Sequence, residues 1–282
     1  MKLSPKVGQK LAWGGAWLAG IIVFLVLISL IGFVFVRGIP ALSWRFIVSP
    51  TTEGGISSAI LGTVYIILLT LAVAVPLGLG TAIYLAEYAP RNQLTEAIRY
   101  AIDTLAAVPS IVFGLFGMVL FVAILIGTQC LLAGALTMAF LVLPTMIRTA
   151  EDAIKAVPRT HREASLALGA TKWQTIVRVV LPASLPGIIT AVILCVGRAI
   201  EETACLYATL GLSLLTPTSL FDGARTLSLH LYLLATEMPG DRQQLIAQAM
   251  GTGVILIIIV IVINFFTRYL SRRYIARMTG GR

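Results

Sequence analysis

An arginine followed closely by two glutamates stands inside an apolar segment of this sequence. Arg198 lies in GRAIEETA, and Glu201 and Glu202 follow it at the spacing that brings side chains to one face of a helix. Counted from Pro186, Arg198 is about 18 Å along a helix, which places it deep in a bilayer about 30 Å thick. A guanidinium at that depth is costly and is usually paired or turned toward a water-filled path.

Two roles for this arginine follow from the residues alone. It could form a buried ion pair that fixes helix packing, or it could bind an oxyanion, whose oxygens match the planar guanidinium donors. In the second role, Glu202 would hold Arg198 while the path is empty and would be displaced or protonated when the anion arrives.

The other reactive residue types are too scattered to form a catalytic or metal site. Cys130, Cys195 and Cys205 fall within or beside apolar runs, and His161 and His230 lack partners at zinc-site spacing. The sequence also contains no G-x-x-x-x-G-K-[ST] phosphate loop. We therefore expect neither an enzyme, nor a metal site, nor ATP bound by this chain alone.

A polar stretch of twenty residues, EASLALGATKWQTIVRVVLP, separates two apolar blocks. Good helix formers precede Gly169, which can end a helix in the left-handed conformation. Thr171 can cap a second helix, and Gln174 completes a capping-box pattern. Pro182 is expected to end that helix, and Pro186 to stand in the first turn of the next span. The stretch is thus predicted to be a helix, a glycine turn and a second helix.

Periodicity leaves two roles open for such a hairpin. It could be a rigid projection that a partner protein grips, or an amphipathic segment resting on lipid headgroups with Trp173 at the boundary.

The composition is that of a polytopic membrane protein. Of 282 residues, 58% are hydrophobic and 12% charged, and the mean hydropathy is +0.96; soluble domains carry about twice that share of charge. Because a spanning helix needs about 20 apolar residues, we predict an all-α fold with six transmembrane helices. The predicted spans are 11–36, 59–86, 101–126, 129–148, 185–206 and 248–267, the third and fourth joined by a tight hairpin at Gly127 and Thr128.

The basic residues lie mainly at one end of these spans. With the N-terminus inside, sixteen lysines and arginines, Lys2 and Arg282 among them, fall in cytoplasmic segments. Only Arg37, Arg45, Arg225 and Arg242 fall outside. This bias favours two cytoplasmic termini and accounts for the net charge of +9 without a nucleic-acid partner.

Two carboxylates near the spans have an arginine four residues away along the chain. Glu87 is expected to pair with Arg91, and Asp103 with Arg99.

The polar stretch resembles the EAA loop of ABC-importer permeases. Glu163-Ala164-Ser165, Gly169, and VVLP ending at Pro182 match its pattern of E-A-A, three residues, G, nine residues, I, one residue, L-P, with Ser for Ala and Val for Ile. The resemblance implies a coupling helix at Glu163 to Gly169 that docks on a separate ATPase. It thereby favours the partner-binding role and assigns that contact to Glu163, Ala164 and Gly169.

A wider resemblance covers most of the chain. AVPSIVFGLFG, REASLALGATKWQTIVRVVLPASLPGI, GRAIEETA and LSLHLY, in this order, resemble the phosphate-specific permeases of PstA type. This implies a type I ABC-importer fold, with Arg198, Glu202 and Thr203 on the substrate path. One departure is Glu201, which stands where the family usually has Gly; a further carboxylate near Arg198 puts the affinity for the anion, and its identity, in question.

The implied assembly is a phosphate importer that works by alternating access. It would contain a second permease of PstC type, an ATPase dimer of PstB type that binds the ATP, and an extracytoplasmic phosphate-binding protein, all at a bacterial inner membrane. In this scheme 1–58 is an N-terminal helix with an outer loop, 59–270 is the permease domain with a cytoplasmic coupling loop at 151–183, and 271–282 is a cytoplasmic tail. A permease for sulfate or molybdate, and a secondary transporter without an ATPase, remain the alternatives.

Overall fold

The computed structural model of the chain describes residues 5–278, which are mainly helical. Lys2, Arg282 and the end of the 271–282 tail lie outside the described residues. The helices are α1 Pro5–Gly38, α2 Trp44–Val48, α3 Ser57–Ile83, α4 Gln93–Ala106, α5 Ser110–Gly117, α6 Leu131–Lys155, α7 Arg159–Ala167, α8 Lys172–Thr175, α9 Leu181–Glu201, α10 Ala204–Tyr207, α11 Leu227–Thr236 and α12 Arg242–Met278. Three π-helical segments, Tyr84–Tyr88, Met118–Ile126 and Ile176–Val180, extend α3 and α5 and join α8 to α9.

Five helical stretches are long and apolar enough to cross a bilayer. Within residues 5–278 they are Trp13–Ala41, Ser57–Tyr88, Leu131–Lys155, Lys172–Glu201 and Arg242–Phe266, and the number rises to six if a bent pair of helices is counted as one span. The all-α prediction is confirmed, since the described residues contain no strand beyond one isolated bridge between Gly211 and Ala224. The tight turn between the third and fourth spans is also confirmed, with Gly127 in the left-handed region at φ 86°.

The third predicted span, 101–126, is wrong as a continuous helix. The chain bends by 100° between Gln93–Ala106 and Ser110–Ile126. Pro109 explains the break, because proline has no N–H and disfavours helical backbone in the residue before it. The apolar side chains of Leu94, Ile98 and Leu105 on α4 are exposed. Helix α4 is thus amphipathic, as expected of a helix at a bilayer surface.

The core of the bundle is centred on α6, which packs against both α3 and α9. Side chains from the three helices, such as Ile66, Met138, Met146 and Cys195, are fully buried there. Gly78 allows close packing, because a Cβ on it would meet the Cγ of Met146 at 2.5 Å.

The fifth span differs from its prediction because neither Pro182 nor Pro186 interrupts it. A single helical stretch of 30 residues runs from Lys172 to Glu201. Directly before Pro182 the helix widens into a π-helical segment, in which the N–H of Leu181 donates to the carbonyl of Ile176. This wider turn relieves the clash between a proline ring and the carbonyl four residues earlier. The second arm of the hairpin is therefore continuous with the membrane span.

Gly62 of α3 offers a test of the packing. A Cβ at position 62 would overlap the carbonyl oxygen of Arg225, whereas a Cβ at Gly80 of the same helix would meet nothing within 4 Å. We expect Gly62→Ala to destabilise the fold by about 1–3 kcal/mol through overpacking. Gly80→Ala should be neutral or slightly stabilising, because alanine favours helix. Thermal unfolding of both variants in one detergent checks this; equal midpoints would contradict the close approach.

Candidate functional site

Helix α7 is held against the bundle by Arg162. Its Nε and Nη2 donate to Oε1 of Glu87 at 2.9 and 2.7 Å. Its Nη1 donates to the carbonyl of Val157 and its Nη2 to that of Ile154, at 2.6 and 2.9 Å, which satisfies carbonyls at the C-terminal end of α6. The expected pairing of Glu87 with Arg91 is wrong, because the partner of Glu87 is 75 positions away and on another element.

A second set of ion pairs joins α4 to α6 beside this contact. Nε of Arg99 donates to the buried carboxylate of Glu151 at 2.8 Å, and Lys155 contacts the same carboxylate oxygen at 2.6 Å. Oδ2 of Asp103 lies 3.6 Å from Nη1 of Arg148. The expected pairing of Asp103 with Arg99 is therefore wrong, because each of them pairs with a residue of α6 instead.

The turn of the hairpin has the predicted local chemistry. Gly169 is in the left-handed conformation at φ 85°, and its N–H donates to the carbonyl of Leu166 at 2.9 Å. Thr171 and Gln174 form the reciprocal capping box, each side chain accepting a hydrogen bond from the backbone N–H of the other. The helix, glycine turn and capped second helix are confirmed.

The two arms of the hairpin are also joined by side chains. The hydroxyls of Ser165 and Thr175 lie 2.9 Å apart and share a hydrogen bond. The second arm continues unbroken to Glu201, so this hydrogen bond joins α7 to the same helical stretch that contains Arg198.

The outer face of the hairpin is exposed and partly apolar. Helix α7 has no buried residue, and Glu163 and Ala164 are both exposed. Leu168 is 89% exposed and Trp173 60% exposed. Large apolar side chains beside charged ones on a projecting element are typical of a surface that a partner covers.

Arg198 lies in the last turn of α9, at the opposite end of that helical stretch from the hairpin. Its Nε is buried and has no hydrogen-bond partner. No hydrogen bond or ion pair joins its guanidinium to any residue between 5 and 278. A buried donor without a partner is costly and is uncommon unless a ligand or water completes it.

The predicted ion pair between Arg198 and Glu202 is not present within the described part of the chain. Helix α9 ends at Glu201, so Glu202 has extended backbone and does not share a helix face with Arg198. The carboxylate of Glu202 instead accepts a hydrogen bond from the N–H of Cys205 at 3.1 Å, and its carbonyl accepts one from Ser228 at 2.8 Å. Thr203, the next residue, precedes α10.

The structure places each predicted set in one region, and it lacks the predicted contact between Arg198 and Glu202. Glu163, Ala164 and Gly169 share the hairpin. Arg198 and Glu202 share the junction between α9 and α10 without pairing. The sequence reasoning missed the contact of Arg162 with Glu87; the only available signal was two charged residues flanking different apolar runs.

Comparison with known sequences points to one family. Residues 74–279 match the family described as binding-protein-dependent transport system inner membrane component. The chain is 35% identical to the probable ABC transporter permease protein YqgI of Bacillus subtilis (strain 168), covering 99% of this chain and 100% of that protein. It is 37% identical to the phosphate transport system permease protein PstA 1 of Mycobacterium tuberculosis (strain CDC 1551 / Oshkosh), covering 79% and 72%.

Solved structures share the fold. A bacterial alginate ABC transporter, crystallised with an alginate pentasaccharide-bound periplasmic protein, superposes with a TM-score of 0.70 at 16% identity, covering 97% of this chain and 98% of that one. An inward-facing MetNI methionine ABC transporter gives a TM-score of 0.60 at 20% identity, covering 83% and 99%. At these identities the likeness shows the architecture alone.

Proposed function

This chain belongs to the family of binding-protein-dependent transport system inner membrane components, the permeases of ABC importers, and we propose that its substrate is inorganic phosphate. Permeases of this family span the membrane several times and work with an ATPase and a substrate-binding protein. The chain matches relatives named as PstA phosphate permeases at 36–37% identity, which supports phosphate as the anion.

The observation that carries the phosphate proposal is the unpartnered, buried Nε of Arg198. A guanidinium without a carboxylate partner is free to form paired hydrogen bonds with the oxygens of an anion. Glu202 and Thr203 belong to the same path in this proposal. Because the hydrogen bonds of Glu202 fix the chain directly after α9, its role is to position the turn beside Arg198 rather than to neutralise the arginine.

The hairpin is the proposed contact with the ATPase. Glu163, Ala164 and Gly169 would dock on it, and the exposed side chains of Leu168 and Trp173 support a covered surface there. The hairpin end is then cytoplasmic, and so are both termini. The continuous helix from Lys172 to Glu201 would transmit movement of the ATPase toward Arg198.

The proposed cycle is alternating access. ATP closes a PstB-type ATPase dimer, its movement passes through α7, and this chain and a PstC-type permease open toward an extracytoplasmic phosphate-binding protein. Hydrolysis returns the pair to the inward-open state. This chain does no chemistry on the phosphate, and ATP is bound by its partner.

Competition uptake tests the substrate. Vesicles containing this chain with its companion subunits should accumulate labelled phosphate only with ATP and binding protein. A hundredfold excess of unlabelled phosphate should abolish the signal, and equal sulfate or molybdate should not. If sulfate or molybdate suppresses uptake as strongly as unlabelled phosphate does, the chain is a permease for another oxyanion. Uptake that needs no ATPase would indicate a secondary transporter.

A further inference from the structure

A polar cavity of about 600 Å³ lies behind α7, between the hairpin and the end of α3. Its volume is in the range of small-ligand sites. Five basic residues line it: Arg91, Arg99, Lys155, Arg159 and Arg162. Glu87 and Glu163 are the lining carboxylates.

Three of the five basic side chains are already engaged by carboxylates, in the ion pairs with Glu87 and Glu151 described above. Arg91 and Arg159 are not, because neither makes a hydrogen bond or an ion pair with any residue in the described range. Glu163 is likewise unpaired in that range. With Glu151 included, five cations face three carboxylates, so the cavity has an excess of positive charge.

We propose that this cavity binds the phosphate group of an anionic ligand through Arg91 and Arg159. Guanidinium groups match phosphate oxygens in geometry and charge, and two that lack protein partners can both turn to one anion. The site is separate from Arg198, which lies at the other end of the helical stretch Lys172–Glu201.

The position of the cavity allows two sources for this phosphate group. Leu94, Ile98 and Leu105 expose the apolar face of α4 and mark the bilayer surface close to Arg99, on the same helix. Basic pockets between helices at such a surface can hold phospholipid headgroups. Free inorganic phosphate offers the same oxygens from the aqueous side.

A bound anion would connect the hairpin to the bundle. Arg159 belongs to α7, whereas Arg91 follows the end of α3. One phosphate group held by both would restrain α7, and so would bear on the proposed coupling to the ATPase. Binding itself does not depend on phosphate being the transported substrate.

Two binding measurements on the purified full chain test the site. In the first, labelled inorganic phosphate is titrated in detergent freed of phospholipid, in the Arg198→Gln background so that the proposed transport site does not contribute. In the second, the chain is released from nanodiscs of phosphatidylcholine with phosphatidylglycerol, and native mass spectrometry counts the anionic lipids retained. The test variant is Arg91→Gln with Arg159→Gln, and the matched control is Arg178→Gln, an exposed arginine outside the cavity.

In the double variant only, we expect the chain to bind one equivalent less of phosphate or of phosphatidylglycerol, or to bind that equivalent with a dissociation constant at least about tenfold higher. A loss in the first measurement identifies a free anion site, and a loss in the second a lipid headgroup site. Replacement of both arginines by lysine should retain part of the binding, because the charge remains. Equal binding by the parent, control and double-variant chains in both measurements would overturn the proposal, whatever the transport assays show.

Discussion

Replacement of Arg198 by glutamine should lower ATP-driven phosphate uptake at least about 100-fold, because two charge-assisted hydrogen bonds, each about 1.5–3 kcal/mol, would be lost. The Nε of Arg198 is buried without a protein partner, so removing the guanidinium leaves no unpaired carboxylate behind. The folded subunit should therefore assemble normally and keep its basal ATP hydrolysis. Initial rates of labelled phosphate uptake in proteoliposomes measure the effect.

The control is Arg178→Gln, which removes the same charge from an exposed position of the same helical stretch. Arg198→Lys should fall between the parent and the glutamine variant, since a point charge replaces the planar donors. Normal uptake by a well-assembled Arg198→Gln transporter would rule out the anion role and favour a purely structural arginine.

Replacement of Arg162 by alanine should uncouple ATP hydrolysis from uptake. The change removes four hydrogen bonds to Glu87, Val157 and Ile154. Breaking a buried ion pair costs about 3–5 kcal/mol. Because Arg162 is 20% exposed, screening reduces this to about 2–3 kcal/mol. Helix α7 would then be loosely held, and the number of phosphate ions imported per ATP hydrolysed should fall at least about fivefold.

Two further variants separate coupling from folding. His161→Ala, at an exposed neighbouring position of α7, should leave the ratio of phosphate to ATP unchanged. Combining Arg162→Gln with Glu87→Gln should give more phosphate imported per ATP than Arg162→Ala does, because no buried carboxylate is left unpaired. If Arg162→Ala imports phosphate at the parental ratio with normal assembly, α7 does not need this anchor to transmit force.

The hairpin turn could be predicted because its signals are local. Gly169 needs only the residues of its own helix end to take the left-handed conformation, and the Thr171–Gln174 capping box closes over three residues. The prediction failed at Pro182, because a π-helical turn accommodates the ring. Whether a proline ends a helix or widens one depends on the packing of the whole span, which a sequence pattern does not contain.

The ion pairs could not be predicted because they are tertiary. Spacing of four residues suggested partners for Glu87 and Asp103, whereas the structure pairs Glu87 with Arg162, 75 positions away. Such contacts are decided by which helix faces meet. The same holds for Arg198 and Glu202, which were predicted to share a helix face but do not, because α9 ends between them.

The break in the third span has local signals in the sequence. Pro109 lies between an amphipathic segment and an apolar one, and the charged residues Arg99 and Asp103 already mark the first as a surface helix. The prediction of one continuous span over both segments rested on apolar composition alone. The backbone break at 107–109 separates them by a 100° bend.

The central claim, that the exposed hairpin contacts an ATPase and transmits its movement, is tested most directly by cross-linking at Ala164. The three native cysteines, Cys130, Cys195 and Cys205, are buried, so a cysteine introduced at exposed Ala164 should be the main reactive thiol among the described residues. With a short bifunctional reagent, Ala164→Cys should form one product with the ATPase subunit, and the product should be inactive in uptake. The account would be contradicted if the Ala164→Cys transporter is active but forms no cross-link to the ATPase, while a cysteine introduced elsewhere on the chain does form one.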